Sequence, residues 1–185
     1  MASTAERLAT YEDLLQVPAH LVAEILAGNL ITHPRPGPRH ALAYSSLGDE
    51  LVGPYHKGRG GPGGWWILDE PELHLSGDVL VPDLAGWRRK NMPVLPDTAW
   101  FESSPDWICE ILSPSTAKDD RVLKMPIYAR EAVPHLWLVD PDLRTLEVYA
   151  LNRDHWLLLN AYKEDDKVRA PPFDAIELDL AVLWP

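Results

Sequence analysis

Apolar and polar residues change rhythm several times along this chain, and each change marks an element. Thr10-Tyr11-Glu12-Asp13-Leu14-Leu15 reads as a short helix with Thr10 as N-cap, its hydroxyl placed to accept from a first-turn amide. Residues 20–27 read as a second helix, stopped by Gly28 at a C′ position. Asn29-Leu30-Ile31-Thr32-His33 follows as a strand, ended by Pro34, Pro36 and Pro38. The longest helical pattern covers residues 39–55, where Leu42, Ser46, Leu47, Leu51 and Tyr55 make one largely apolar stripe.

From Trp65 onward the texture becomes that of β-structure. Strands are expected at residues 65–68, 72–75, 79–83 and 85–87, and a proline-broken loop at 88–101. Residues 107–112 form a near-continuous apolar run, as in a strand buried on both faces. Ser113-Pro114-Ser115-Thr116 turns the chain, and Thr116 with Asp119 resembles a capping box that opens a helix to about Arg130. Pro126 falls inside that helix, so a kink or an early end is expected. Residues 135–139 and 145–150 read as a hairpin across Asp140-Pro141-Asp142-Leu143-Arg144, with further strands at 156–162 and 176–178. The order predicts an α/β fold, a central mixed β-sheet flanked by helices, in a single domain over residues 1–185.

Composition narrows the functional classes. A chain of 185 residues that is 46% hydrophobic and 24% charged is globular. No apolar run is long enough to span a bilayer, and Met1-Ala2-Ser3-Thr4-Ala5-Glu6-Arg7 carries no signal-peptide core. The single cysteine, Cys109, lies in an apolar run, which suits a small buried side chain in a reducing cytoplasm. A net charge of −11 weighs against a broad nonspecific nucleic-acid surface, although a bound cation can invert the local balance. The eight tryptophans, from Trp65 to Trp184, are expected mainly in the core and at dimer surfaces.

Against this background two acids stand out. Asp83 ends Val79-Leu80-Val81-Pro82-Asp83, and Glu110 ends Asp106-Trp107-Ile108-Cys109-Glu110. An ionised carboxylate in an apolar strand is costly unless a positive charge meets it. On neighbouring strands, about 4.8 Å apart, the two could share one divalent ion. A metal there activates water and stabilises charge on a phosphoryl group, and a nearby lysine orients the water or meets the developing charge. The seven histidines show no paired zinc spacing. The loop 58–64 lacks the Gly-Lys-Ser/Thr ending of a phosphate cradle, and no Gly-x-Ser-x-Gly motif is present.

The ordered set resembles the Uma-type family of restriction-endonuclease-like proteins, a branch of the PD-(D/E)XK nuclease superfamily. The densest match is Pro105-Asp106-Trp107-Ile108-Cys109-Glu110-Ile111-Leu112-Ser113-Pro114-Ser115-Thr116, continuing through Asp120, Lys124 and Tyr128 to Trp137-Leu138-Val139-Asp140-Pro141. Val81-Pro82-Asp83-Leu84 and the opening around Glu24 and Gly28 match as well. The resemblance implies a restriction-endonuclease-like fold, with Asp83 and Glu110 as ligands of Mg²⁺ or Mn²⁺. The superfamily lysine normally stands two residues after the glutamate, where this chain has Leu112. The resemblance moves it onto the following helix, to Lys124, with Lys118 as the competitor.

The expected function is therefore a cytoplasmic, metal-dependent endonuclease acting on DNA as a homodimer, without a membrane partner. Asp83, Glu110, Lys124 and Glu24 form the expected catalytic set. Glu24 is expected on a helix, either as an outer ligand or as an ordinary surface charge. Lys124 has the alternative of a surface pair with Asp120. His40 and Tyr128 are candidates for contact with substrate or Lys124, and Asp140 is read as a turn residue. The alternative function is a nuclease-fold binding module with little or no turnover.

Overall fold

A computed structural model describes residues 7–185; Met1 to Glu6, most of the segment read as lacking a signal-peptide core, lie outside the described residues. The chain opens with α1 (Tyr11–Leu15), where Thr10 and Asp13 form a reciprocal capping box. A hairpin follows, β1 (Leu21–Leu26) and β2 (Asn29–Pro34), then the long helix α2 (Pro38–Leu51), which continues as a π-turn over Val52–His56. The β-rich centre contains β3 (Trp65–Asp69), β4 (Leu73–Leu75), β5 (Asp78–Leu80), β6 (Leu84–Arg88) and β7 (Trp107–Ile111). A broken helix comes next: α3 (Ala117–Asp119), a π-turn over Asp120–Lys124, and α4 (Met125–Arg130). The chain finishes with β8 (His135–Asp140), β9 (Thr145–Asn152), β10 (His155–Lys163), β11 (Lys167–Val168), β12 (Leu178–Asp179) and a 3₁₀ turn at Leu180–Leu183.

The main sheet has six strands in the order β10-β9-β8-β7-β6-β3, with β7 and β8 parallel and the other neighbours antiparallel. The parallel pair is joined through α3 and α4, the crossover that two parallel neighbours require. A second sheet, β2-β1-β5-β4, is wholly antiparallel, and β11 pairs with β12. The predicted mixed sheet flanked by helices is the observed architecture.

The alternation of β7 organises the molecule. Trp107, Cys109 and Ile111 face a core shared with Ala43, Leu47 and Leu51 of α2 and with the C-terminal Phe173, Leu183 and Trp184. Ile108 and Leu112 face the opposite core, with Leu26 and Leu80 of the smaller sheet and Ile127 and Tyr128 of α4. Glu110 shares the second face by the two-residue period, so it points toward the broken helix. The C-terminal segment covers the core of its own chain. Trp87, Trp107 and Trp137 are fully buried, and Cys109 is a buried free thiol.

The second predicted helix is β1 instead. Leu26 pairs with Asn29, leaving Ala27 and Gly28 as a two-residue turn with positive φ at both positions. Those signs mark a primed hairpin turn, so Gly28 reverses a strand and does not end a helix. The apolar residues of this segment suit either period, and pairing of β1 with both β2 and β5 selects the strand. Three smaller differences concern the acids' surroundings. The expected strand 79–83 stops at Leu80, so Asp83 lies in the link before β6. Thr116 makes no side-chain cap; its hydroxyl accepts from the Ser113 amide at 3.3 Å. Pro126 sits in the first turn of α4, where its missing N–H breaks no ladder, and the preceding π-turn absorbs the interruption.

Candidate active site

Four elements carry their acids to one cavity of about 390 Å³. Glu24 from β1, Asp83 from the link before β6, Glu110 from β7, and Asp120 and Lys124 from the π-turn all line it, together with His40 of α2. Glu24, Glu110, Asp120 and Lys124 are each at most 4% exposed. Exposed Leu15, Arg35 and Glu70 surround this buried floor.

Lys124 is the centre of the network. Its Nζ lies 2.8 Å from Glu110 Oε1, 3.1 Å from Glu24 Oε1 and 3.5 Å from Asp120 Oδ1. The surface pair with Asp120 is thus one edge of a buried cluster of three acids around one cation. Lys118, the competing lysine, is exposed and does not line the cavity. The π-turn, with its wider backbone repeat, contains both Asp120 and Lys124 and presents them inward, while Val122 on the same turn faces solvent.

The acids are held as firmly as the lysine. Glu24 Oε1 also accepts from the Val81 amide at 2.8 Å, which ties β1 to the link carrying Asp83. Asp83 Oδ2 accepts from the Ile111 amide at 2.7 Å, and its Oδ1 lies 3.1 Å from His40 Nε2. Leu84 pairs with Cys109, so one residue beyond the paired register Asp83 comes beside Glu110. Tyr128 donates its hydroxyl to Glu110 Oε1.

Charge in this cavity is unbalanced. Burial pushes the Glu110 carboxyl well above its usual range, and Lys124 only partly opposes that. Burial raises Asp120 as well, again against the pull of Lys124. For Lys124 itself burial favours the neutral amine, but Glu110, Glu24, Tyr128 and Asp120 together outweigh it and hold the ammonium well above the ordinary lysine value. Burial also lowers His40, and Asp83, helped by the Ile111 backbone and Asp120, more than restores it. Tyr128 is raised by burial and then by Glu110, so it remains a donor.

Six acids line the cavity, Glu70 and Glu72 besides the four above, against Lys124, Arg35, His33 and His40, and a hard cation would offset the excess negative charge. Among the described residues, no three His, Cys, Asp or Glu side chains converge as a complete metal cage. Mg²⁺ does not need one: it keeps several waters and binds through one or two carboxylates. Asp83 and Glu110, side by side across β6 and β7, are the carboxylates that could hold such an ion.

A family model described as Uma2, "Putative restriction endonuclease", matches residues 8–182, nearly the whole chain. The chain belongs to the Uma2 family. The fold agrees: a crystal structure of a "putative nuclease belonging to DUF820" from Anabaena variabilis ATCC 29413 superposes with a TM-score of 0.72. The alignment has 24% identity and covers 95% of this chain and 97% of that one. No curated protein matches the chain. This Uma2 protein is therefore a restriction-endonuclease-like protein of a nuclease family, with a mixed α/β fold. Among the described residues, no helix is long and apolar enough to cross a membrane.

All four sequence candidates reach the cavity, with Glu24 arriving on a strand. Two further members of the network were undervalued in the sequence. Asp120 reads only as a helical neighbour of Lys124, and Tyr128 as a candidate for contact with substrate or Lys124; the structure gives its hydroxyl to Glu110. The signal available was their spacing: Asp120, Lys124 and Tyr128 recur every four residues, so one helical face carries an acid, a cation and a hydroxyl.

Proposed function

We propose that this protein is a divalent-metal-dependent endonuclease that hydrolyses phosphodiester bonds in DNA. The observation that carries the reading is Lys124, buried and bonded to Glu110 and Glu24 in the cavity that Asp83 also lines. Asp83 and Glu110 would hold Mg²⁺ or Mn²⁺, whose chemistry when bound is activation of a water and neutralisation of phosphoryl charge. Lys124, kept as an ammonium by three acids, is a poor base; its role is to donate hydrogen bonds and stabilise negative charge. Glu24 and Asp120 hold the ammonium in place, and Tyr128 fixes the Glu110 carboxylate.

The test is cleavage of supercoiled plasmid with Mg²⁺ or Mn²⁺ by wild type and by Asp83→Ala, Glu110→Ala and Lys124→Ala. Wild type nicks or linearises the plasmid and each variant loses at least a hundredfold; equal cleavage by all four removes the assignment. A homodimer in the cytoplasm suits this activity, because two sites related by a two-fold axis can cut both strands of a duplex.

A second reading is a nuclease-fold binding module without turnover. It is favoured by the engagement of both Asp83 oxygens and of Glu110 Oε1 within the protein. Calorimetric titration separates the two: absence of Mg²⁺ and Mn²⁺ binding by the folded protein selects the module.

A further inference from the structure

The negative charge of this chain is unevenly spread. Residues 51–68 and 84–96 contain no aspartate or glutamate, and they carry Lys57, Arg59, Arg88, Arg89 and Lys90. The fold brings the two segments together, because β3 pairs with β6 and sets Trp65 opposite Arg88 at the edge of the main sheet. The loop before β3 closes on the same place. The Arg89 amide donates to the Gly64 carbonyl at 2.9 Å, and its guanidinium donates to the carbonyls of Trp65 at 3.2 Å and His56 at 3.0 Å. Lys57 follows His56 directly, so the cations of both segments share one rim.

The rim is held in shape. The Arg88 guanidinium lies 4.4 Å from the ring centre of Trp65, and that of Arg89 lies 3.9 Å from Trp66. Stacking on an indole fixes the plane of the guanidinium and leaves its edge for an acceptor. The glycine-rich loop is tied down as well: the amides of Arg59 and Gly63 donate to the carbonyls of Gly53 and Pro54, each at 2.9 Å. Lys57, Arg59 and Lys90 are exposed, and among the described residues none of the five cations belongs to an ion pair. One acid, Asp106, bonds into the rim, and its oxygens are taken by the Arg88 amide at 2.7 Å and the Asn91 side chain at 2.6 Å. Unpaired cations fixed side by side repel one another, and a polyanion relieves that repulsion.

We infer that this rim binds the sugar–phosphate backbone of duplex DNA, outside the cavity of the acids. Planar guanidinium groups beside ammonium groups suit phosphodiester oxygens, and contact with the backbone needs no reading of base edges. The choice of DNA among polyanions rests on the nuclease reading. Asp83 precedes β6 and Arg88 ends it, so the rim and the acids lie at opposite ends of one strand, about 17 Å apart along it. A chain of net charge −11 thereby gains a local foothold on a polyanion, away from the carboxylates that repel it.

The experiment is fluorescence anisotropy of the full chain with a labelled duplex of about 30 base pairs, in chelator, across about 50–200 mM salt. The rim variant combines Lys57→Glu, Arg59→Glu and Lys90→Glu, all at exposed positions. The control combines Arg153→Glu, Lys163→Glu and Lys167→Glu, exposed at or beyond the opposite, β10 edge of the sheet, and changes net charge equally. Wild type is expected to bind, with log K falling against log salt by about 0.9 for each phosphate neutralised. The rim variant binds at least tenfold more weakly and its salt slope shrinks by about 2–3, while the control stays within about threefold of wild type. Alanine at the three rim positions weakens binding in the same direction and replaces the reversal should that variant fail to fold. No duplex binding by wild type, equal losses in rim variant and control, or displacement of the duplex by poly-glutamate at equal charge overturns the inference, the last selecting an acidic protein partner. Plasmid cleavage is scored separately. A chain that binds the duplex here but cuts nothing loses only the nuclease reading, and one that cuts while the rim variant binds like wild type loses only the rim.

Discussion

Lys124 lies 2.8 Å from Glu110 although the two belong to different elements, one on a π-turn and the other on a central strand. The contact links fold to chemistry, because the same ammonium that would face a substrate phosphate also neutralises buried carboxylates.

Lys124→Met should therefore cost stability as well as activity. It leaves Glu24, Glu110 and Asp120 without their common cation, and breaking a buried pair costs about 3–5 kcal/mol. Glu110→Gln, by contrast, removes a carboxylate that burial already disfavours while keeping its shape and hydrogen-bond acceptor. Urea denaturation should show Lys124→Met clearly destabilised and Glu110→Gln much less so, because Lys124 then keeps Glu24 and Asp120 as partners whereas the three acids have no other cation. Loss of plasmid cleavage is expected in both.

Tyr128→Phe tests positioning. The change leaves the ring in its core and deletes the donor to Glu110. The expected stability loss is about 1.5–3 kcal/mol, that of a hydrogen bond to a charged acceptor. Cleavage should fall about tenfold through kcat with little change in KM, as for a group that orients a metal ligand. An unchanged kcat in single-turnover assays would exclude the positioning role.

Asp78 holds the β1–β2 turn against α4. Its Oδ1 accepts from the Ala27 amide and its Oδ2 from Arg130 Nη2, each at 2.6 Å. Asp78→Ala strips the partner from a turn amide and from one arm of Arg130, at a cost of about 1–3 kcal/mol. Because the link joins the hairpin that carries Glu24 to α4, which continues directly from the π-turn of Lys124, the variant should also lower cleavage, and hydrogen exchange of residues 21–34 should accelerate. Unchanged exchange there would show that the hairpin is anchored by other contacts.

His135 supplies a pH dependence distant from the acids. Burial, helped by Arg88, lowers its folded-state value below the ordinary histidine value of 6.5. Its Nδ1 is buried without a partner. A base whose folded value is depressed binds more protons unfolded, so its contribution is present above pH 6.5 and is lost as pH falls below that value. Wild type should lose more stability than His135→Gln between pH 7.5 and pH 5.5, read from urea midpoints. Parallel losses in the two proteins would assign the effect to other groups.

Gly86 probes the packing behind the site. A Cβ there meets Ile67 at 3.0 Å and both Trp107 and Trp65 at 3.2 Å, and the rings are held in one aromatic cluster with Phe173. Gly86→Ala should cost about 1–3 kcal/mol by overpacking. The thermal midpoint measures it, and a midpoint equal to wild type would mean that the indoles move aside freely.

Much of this protein was determined by the order of its residues. The run from Trp107 reads as a buried strand because apolar side chains leave it no solvent face, and β7 is buried at all five positions. Asp140 reads as a turn residue, and its Oδ1 accepts from the amides of Asp142 and Leu143. The family is shown by a match that runs over residues 8–182, which includes every residue that meets in the cavity. Tertiary structure decided the rest. The segment 21–26 has apolar residues that fit a helix or a strand, and only pairing of β1 with its neighbours selects the strand that carries Glu24. Whether Lys124 belonged to the surface or the site depended on the π-turn, a local change of helical repeat that sequence spacing does not encode. Its burial among three acids is a relation between residues from three elements, and the physical reason it escapes a one-dimensional reading is that charges interact through space: a lysine is paired or solvated according to which acids the fold brings within about 4 Å.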